Sequence, residues 1–310
     1  MGILRIKPPA LRPGDLIGIA APASNIKPEM LAEGCRELER LGFRTLYQPG
    51  ITTSYRYFSG TDERRAAELL EMIRNPEVRA IFCARGGYGS VRIIPYLEPE
   101  LVRSNPKIIN GSSDITTLLT FLDRSGLAGF YGPMVATALR LGTAAYNQRL
   151  LLDLLRGEKV QFPLARTTVL RPGTGEGRLI GGCLSLVVAT LGTAYEIDTT
   201  DSILVLEDQD TKPYQVDRML TQLKHAGKLQ RVQGVVFGEM LNCVQHVNQG
   251  YSLEEVVMDV LADTAFPVLY GFPTGHTSRA NVVVPFGVRA LLSLGSSSAF
   301  ELLEPAVSEA

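Results

Sequence analysis

The chain has no tryptophan, only three histidines and only four cysteines among its 310 residues. The cysteines are scattered and form no C-x-x-C pair, which favours buried free thiols in a reducing compartment over disulfides. Neither H-E-x-x-H nor G-x-x-x-x-G-K-[ST] occurs. With so few histidines and no cysteine pair, the sequence predicts neither a metal site nor a cofactor. The cysteines are Cys35, Cys83, Cys183 and Cys243.

An excess of charge of one sign and a long hydrophobic run are also missing. Lysine and arginine together number 31, and aspartate and glutamate 32, so we expect no bulk attraction to nucleic acid or to an anionic membrane. The longest apolar run, residues 179–191, is broken by glycines and falls short of the ~18 residues of a membrane span. The first residues include no apolar segment typical of a secretory signal, so the expectation is a cytoplasmic protein.

The alternation of apolar runs and amphipathic stretches predicts an α/β protein. Residues 15–21 and 78–84 are typical of buried strands, whereas residues 28–41 and 62–74 have the apolar spacing of helices. Thr61 is expected to cap the second of these helices. Strands that alternate with helices of this length indicate a parallel sheet covered on both faces.

The length of the chain suggests about two domains, at roughly 150 residues for each. Glycine and proline are concentrated between residues 156 and 177, which is typical of an interdomain connection. We therefore expect an N-terminal α/β domain at residues 1–160, a linker at 161–177 and a C-terminal domain at 178–310. Mixed β character marks the end of the second domain.

Ser113 is the first candidate for chemistry, because it lies between an apolar strand and a helix. A serine on such a tight strand-to-helix turn is typical of a nucleophile elbow, although the G-x-S-x-G pattern is incomplete here. The following N–H, of Asp114, would then lie at a helix N-terminus and could stabilise an oxyanion. The alternatives are that Ser113 only caps the helix, or that Ser112 has the catalytic role.

Glu207 and His276 complete a possible catalytic triad. Glu207 closes an apolar strand, where ligands bind in α/β proteins, and His276 lies in a loop rich in glycine and proline. The order Ser113, Glu207, His276 matches that of one triad family. The alternatives are an ion pair between Glu207 and Arg218 and a structural role for His276. His225 is expected on a helix surface, and no role is assigned to His246.

The segment Arg85-Gly86-Gly87-Tyr88-Gly89 follows a predicted strand. Its glycines would allow backbone N–H groups to approach a ligand closely. A nucleotide-binding enzyme is one interpretation of such a segment, although G-x-G-x-x-G is absent. A thermal shift with nucleotide would support that interpretation.

Several segments in order resemble the LD-carboxypeptidase family, the muramoyltetrapeptide carboxypeptidases. Together they span nearly the whole chain, so the resemblance is far more specific than any single motif. The segments are LRPGDLIGIAAPAS, GTDERRAAELLEMIRNPEVRAIFCARGGYGSVRIIPYL, KIINGSSDITTLL, GGCLSLVVATLGT, ILVLEDQDTKPYQVDRMLTQL and GFPTGHTSRANVVVPFGVRA.

The resemblance implies a metal-independent serine peptidase with Ser113, Glu207 and His276 as its triad. It places the oxyanion hole at the N–H groups of Asp114 and Gly86. It also implies a flavodoxin-like N-terminal α/β domain, a smaller β-rich C-terminal domain with the active site between them, and a homodimer. The implied substrate is the cytoplasmic murein tetrapeptide, which loses its terminal D-alanine in peptidoglycan recycling.

The chain departs from the family pattern at Ser112, where members usually have an aromatic residue. By position, Arg85 and Gly87 are candidates for binding the substrate. A sister group hydrolyses microcin-type peptidyl-nucleotides and stacks a tryptophan on the base, and this chain has no tryptophan. The cell-wall function is therefore ranked first, before microcin immunity and before a non-catalytic binder of small peptides.

Overall fold

The computed structural model describes residues 5–244 and 250–309. In these residues the helices are α1 Pro28–Arg40, α2 Asp62–Arg74, α3 Ser90–Ile93, α4 Pro99–Ser104, α5 Thr116–Arg124, α6 Gln148–Arg156, α7 Leu184–Ala189, α8 Pro213–His225 and α9 Leu253–Val260. Short 3₁₀ turns lie at Ile94–Tyr96, Ser113–Ile115 and Leu139–Leu141. The same residues form two β-sheets, whose strands are β1 Leu16–Ala20, β2 Arg44–Tyr47, β3 Val78–Cys83, β4 Ile108–Gly111, β5 Gly129–Tyr131, β6 Thr168–Arg171, β7 Gly173–Cys183, β8 Ser202–Glu207, β9 Val232–Gly238, β10 Val268–Phe272, β11 Val284–Phe286, β12 Arg289–Leu294 and β13 Ala299–Leu302.

The first sheet has the order β11-β5-β4-β3-β1-β2. Strands β1 to β5 pair in parallel, as the alternation of strands and helices predicts. Every residue of β1 is buried, which explains its continuous apolar sequence. The edge strand β11 comes from the C-terminal part of the chain and pairs antiparallel with β5.

The second sheet has the order β13-β12-β7-β8-β9-β10-β6. Its central strands β7 to β10 are parallel, and β12, β13 and β6 are antiparallel additions at the two sides. The segment predicted as a linker, residues 161–177, contains β6 and the start of β7. The structure is thus a mixed α/β fold with two sheets, whereas the boundaries of the three segments remain a prediction.

The helices begin and bury residues as their sequences predict. Helix α1 has Pro28 at its first position and buries Leu31, Cys35 and Leu38, which lie on one helical face. Helix α2 is capped by Thr61, whose hydroxyl accepts a hydrogen bond from the N–H of Arg64. The predicted cap is therefore confirmed.

The carboxyl ends of several parallel strands carry the residues singled out in the sequence. Ser113 follows β4, Glu207 is the last residue of β8, and His276 follows β10. Loops at this end of a parallel sheet are where α/β proteins bind ligands. Along residues 5–244 and 250–309, no helix combines the length and the apolar character needed to cross a membrane.

Candidate active site

The turn that holds Ser113 is tight and unusual. Ser113 has a φ of 59°, in the left-handed region that residues with a side chain rarely adopt. Its N–H donates a 3.0 Å hydrogen bond to the hydroxyl of Tyr131. Ser112 is the N-cap residue of the 3₁₀ turn, and Ile115 is the N-cap residue of helix α5. In this described stretch, neither element has a capping hydrogen bond from a side chain. The interpretation of Ser113 as a helix cap is therefore not supported.

The side chain of Asp114 connects this turn to the start of helix α3. Its carboxylate is completely buried and accepts a 2.7 Å hydrogen bond from the N–H of Ser90, at the start of α3. Burial raises the pKa of Asp114, although hydrogen bonds from Ser90 and the charge of Arg65 oppose that rise. The hydrogen bond to Ser90 thus holds the turn against the start of α3.

The glycine-rich segment lies directly against the turn. A Cβ placed on Gly86 would lie 2.9 Å from the Cβ of Ser113 and 3.1 Å from the backbone nitrogen of Asp114. Any side chain at this position would therefore collide with the turn. The structure thus places the backbone of Gly86 close to the backbone nitrogen of Asp114.

Glu207 and His276 are joined by two hydrogen bonds to one carboxylate oxygen. The Nδ1 atom of His276 lies 2.9 Å from Oε2 of Glu207, and the backbone N–H of His276 donates to the same oxygen at 2.8 Å. The carboxylate of Glu207 is completely buried. With Nδ1 held in this way, the other ring nitrogen, Nε2, is left to act as a base.

The pKa of His276 is raised above its ordinary value. Burial lowers this pKa, but the hydrogen bond that His276 makes to Glu207 and the negative charge of Glu207 outweigh the burial, with smaller contributions from Asp208 and Asp210. The imidazolium form is therefore stabilised. This is the electrostatic property expected of a base that must accept a proton during a reaction.

A cleft of about 760 Å³ contains the surface-accessible members of this set. Ser112, Ser113 and His276 line it together with Gly86, Gly87 and Arg85. The side chains of Asp114 and Glu207 are completely buried, and neither residue lines the cleft. Five of the seven predicted site residues therefore line one cavity, and the other two are buried and adjoin Ser113 and His276.

Tyr131 and Glu239 are parts of the site that the sequence analysis missed. The hydroxyl of Tyr131 donates to Oε1 of Glu207 while it accepts from Ser113. Glu239 accepts hydrogen bonds from residues 277–279, directly after His276, and these bonds outweigh burial and lower its pKa to about 2. Both residues lie at or just beyond the carboxyl end of a parallel strand, a position that could have identified them.

Three arginines line the cleft, and their hydrogen bonds differ. Arg279 is committed to the protein, since it donates to Glu239 and to the carbonyls of Ala165 and Gly271. Arg85 donates one long bond of 3.3 Å to the carbonyl of Asn25. The third, Arg140, pairs with a half-exposed Glu33 at 3.0 Å. Arg85 and Arg140 are therefore the cations best able to meet an anionic substrate group.

Cys183, Glu207 and His276 form the cluster in the described ranges that resembles a metal site. Their potential ligand atoms lie within 4.8 Å of one another. However, Nδ1 of His276 is already bonded to Glu207, and burial raises the pKa of the Cys183 thiol well above its usual value. A protonated thiol fits a metal poorly, because the thiolate is the form that binds.

Wherever the structure describes them, the remaining histidines and the cysteines are placed neither as a catalytic base nor in a disulfide. His225 is the last residue of α8 and is exposed, as predicted. His246 lies outside the described residues. All four cysteines are buried free thiols, which confirms the expectation from their spacing.

Comparison with known protein families matches both halves of the chain. Residues 17–132 match the LD-carboxypeptidase N-terminal domain, and residues 176–292 match the LD-carboxypeptidase C-terminal domain. A probable murein peptide carboxypeptidase from Bacillus subtilis is 39% identical, over 99% of this chain and 97% of the relative. The chain belongs to the LD-carboxypeptidase family.

Proteins whose names correspond to both expected functions are similar to this chain. The microcin C7 self-immunity protein MccF of Escherichia coli is 29% identical over 92% of each chain. A crystal structure of muramoyltetrapeptide carboxypeptidase from Oxalobacter formigenes superposes with a TM-score of 0.84 at 26% identity, over 93% of this chain and 98% of the other. The family resemblance and the fold class predicted from the sequence are confirmed, and a peptidase role follows from membership.

Proposed function

We propose that this protein is a serine carboxypeptidase that removes the C-terminal D-alanine from cytoplasmic murein tetrapeptides during peptidoglycan recycling. The observation that carries the proposal is the pairing of His276 with buried Glu207 at a cleft that Ser113 also lines. The names of the Bacillus and Oxalobacter relatives support the substrate class. No metal and no cofactor enter the proposed reaction.

The reaction begins when Nε2 of His276 takes the hydroxyl proton of Ser113 as its oxygen attacks the carbonyl before the terminal D-residue. Glu207 keeps the imidazole oriented and stabilises its charged form. The imidazolium then gives its proton to the departing D-alanine amine, and an acyl-enzyme forms on Ser113. Water, deprotonated by His276, releases the shortened peptide and restores the serine hydroxyl.

We assign the stabilisation of the negative charge that develops on the carbonyl oxygen to two backbone donors. The N–H groups of Asp114 and Gly86 are the proposed oxyanion hole, since the two backbone segments lie side by side. Because both donors are fixed by packing, they need no rearrangement when the charge appears. Removing one such donor typically lowers kcat by about 10²–10³-fold.

A carboxypeptidase must also recognise the free carboxylate of its substrate. Arg85 and Gly87 are proposed for this role, because both line the cleft and Arg85 has one long hydrogen bond to the protein. Arg140 lines the same cleft and is the alternative cation. Each arginine can be substituted by glutamine in turn. The substitution of the arginine that binds the carboxylate should raise KM more than it lowers kcat.

Peptidyl-nucleotide hydrolysis is the second candidate function. The likeness to the Escherichia coli microcin C7 self-immunity protein favours it, and the lack of tryptophan disfavours a stacked base. Ser112, which replaces the usual aromatic residue, lines the cleft and would leave room for a larger substrate. A homodimer also remains part of the proposal, to be checked by light scattering.

The deciding experiment is mass spectrometry of a murein tetrapeptide ending in D-alanine after incubation with wild type, Ser113→Ala and Ser112→Ala. We expect wild type and Ser112→Ala to release one alanine, and Ser113→Ala to lose about 10⁴–10⁶ of kcat. Equal release by wild type and Ser113→Ala would contradict the assignment of the nucleophile.

Two further measurements separate the alternatives. A fluorophosphonate probe labels an activated serine and leaves a non-catalytic peptide binder unlabelled. Labelling of wild type without alanine release would favour aminoacyl-nucleotide substrates, which can be tested by the same mass-spectrometric assay. If wild type is not labelled and also releases no alanine, the peptidase mechanism on Ser113 is contradicted.

A further inference from the structure

Tyr131 connects the two parts of the candidate site through one hydroxyl group. The hydroxyl accepts the N–H of Ser113 at 3.0 Å and donates to Oε1 of Glu207. The other oxygen of that carboxylate, Oε2, holds His276. An unbroken chain of hydrogen bonds therefore runs from the backbone of the nucleophile turn to the imidazole.

The position between Ser113 and Glu207 requires a group that both donates and accepts a hydrogen bond, as a hydroxyl does. A backbone N–H can only donate, and an ionised carboxylate can only accept, so a group between them must do both. Tyr131 is completely buried, and burial together with the charge of Glu207 raises the pKa of its phenol well above the usual value. The phenol therefore stays protonated and keeps its donor over the working range of a peptidase.

The position of Tyr131 in the fold makes this bridge a link between the sheets. Tyr131 ends β5 in the first sheet, and Glu207 ends β8 in the second. Its ring stacks on Phe286 of β11, with the ring centroids 5.4 Å apart. The ring is fixed by packing within the first sheet, so its hydroxyl can set where the carboxylate of the second sheet lies.

We propose that Tyr131 is a positioning residue that fixes the left-handed turn of Ser113 and the carboxylate of Glu207 relative to each other across the two sheets. The inference rests on the proposed function of Ser113, Glu207 and His276. Its specific content is that the hydroxyl, not the ring, maintains the catalytic geometry. Displacements of about 1 Å at a reacting centre can cost about 10²-fold in rate.

The test is Tyr131→Phe, which keeps the ring and removes the hydroxyl. The matched control is Tyr146→Phe, because Tyr146 is also buried and donates to a glutamate, Glu37, through a bond outside the site. We expect Tyr131→Phe to lower kcat by about 10²-fold with KM changed less than about twofold, and to slow fluorophosphonate labelling similarly. Tyr146→Phe should keep the wild-type rates.

The pH profile provides a readout that a purely structural role would not move. Without the hydrogen bond from the phenol, the negative charge of Glu207 is less stabilised by Tyr131 and interacts more strongly with the proton on His276. The pKa of His276 should therefore rise. The acidic limb of kcat/KM should therefore move to higher pH in Tyr131→Phe and stay in place in Tyr146→Phe. Asp208, Asp210 and Cys183 also surround this pair, and both substitutions leave them unchanged.

The outcomes distinguish this inference from the proposed function. If wild type is labelled but releases no alanine, the proposed substrate is contradicted. The labelling rates of the variants can still be compared in that case. Equal labelling rates and an unmoved limb in folded Tyr131→Phe would overturn the positioning role. Wild type that is not labelled at Ser113 would overturn the inference together with the triad.

Discussion

Glu207 is the residue on which most of the candidate site depends. Its two carboxylate oxygens accept hydrogen bonds from Tyr131 and from the backbone and ring of His276. Charged acceptors of this kind form strong hydrogen bonds, and their energy is greatest where water is excluded. A single buried carboxylate therefore fixes both the orientation and the proton affinity of the proposed base.

The pH dependence of activity follows from the raised pKa of His276. The base works only when neutral, so activity should fall as the pH drops through this pKa, and the midpoint should lie above the ordinary value of 6.5. Glu207→Gln removes the charge that raises the pKa, so the midpoint should move to lower pH while kcat falls by about 10⁴-fold. The pH profile of kcat/KM measures both effects.

A control for this prediction is Glu37→Gln, which changes a carboxylate bonded to Tyr146 and Arg40. It should leave the midpoint in place. A midpoint that stays in place in Glu207→Gln would contradict the assignment of the acidic limb to His276.

Gly275 is required by its contact with Glu207 as well as by its backbone conformation. Gly275 has a φ of +67°, and a Cβ there would lie 2.4 Å from Cδ of Glu207. Gly192 has a similar φ of +78° with nothing within 4 Å of an added Cβ. We expect Gly275→Ala to lose most activity and Gly192→Ala to show only a modest loss of stability. Comparable activity in both variants, measured as kcat/KM, would show that the contact does not matter.

Among the secondary-structure elements, α2 shows how far local sequence determines structure. Thr61 accepts a hydrogen bond from the N–H of Arg64, and the predicted helix, residues 62–74, has the observed bounds. The N-cap, the acidic first turn and the basic last turn are all local signals. They act within a few residues, so the sequence was sufficient to predict this helix.

Thr61→Ala should lower the free energy of unfolding by about 1 kcal/mol, because one N–H at the start of α2 loses its acceptor. Activity at a temperature well below the melting transition should be unchanged, since α2 lies outside the cleft. Urea denaturation followed by circular dichroism measures the loss. Thr61→Ser, which keeps the hydroxyl, is the matched control and should retain most of the stability.

In the whole molecule, Asp123 links helix α5, which follows β4 of the first sheet, to strand β7 of the second sheet. It is buried and pairs with Arg5 at 2.9 Å and with Arg178 at 2.6 Å. Asp123 lies in α5, and Arg178 lies in β7 of the second sheet. Strand β11 provides a second connection, because the C-terminal part of the chain supplies an edge of the first sheet. These contacts make the halves structurally dependent on each other.

Asp123→Ala should destabilise the protein by about 3–5 kcal/mol, because it leaves two largely buried arginines without their carboxylate. The urea unfolding transitions followed by far-ultraviolet circular dichroism and by tyrosine fluorescence should move together to lower urea concentration, since the contact connects both halves. Asp153→Ala, at a partly exposed pair with Arg149, should cost less than about 1 kcal/mol. Separate transitions for the two probes would contradict the coupling of the halves.

The sequence by itself determined the α/β class, most helix and strand positions, and the candidates Ser113, Glu207 and His276. Hydrophobic periodicity, capping residues and the ends of apolar strands are local properties, so they can be recognised without the fold. Scarcity helped as well, because only three histidines had to be considered. The family resemblance then selected among the candidates.

Only the tertiary structure decided which distant residues meet. The bridge by Tyr131 spans 76 positions to Glu207, and β11 pairs with β5 across about half of the chain. Glu239 and the contact of Gly275 with Glu207 depend equally on how strands are ordered in the second sheet. Such contacts arise from strand order and packing of the complete chain, which no short segment of sequence encodes.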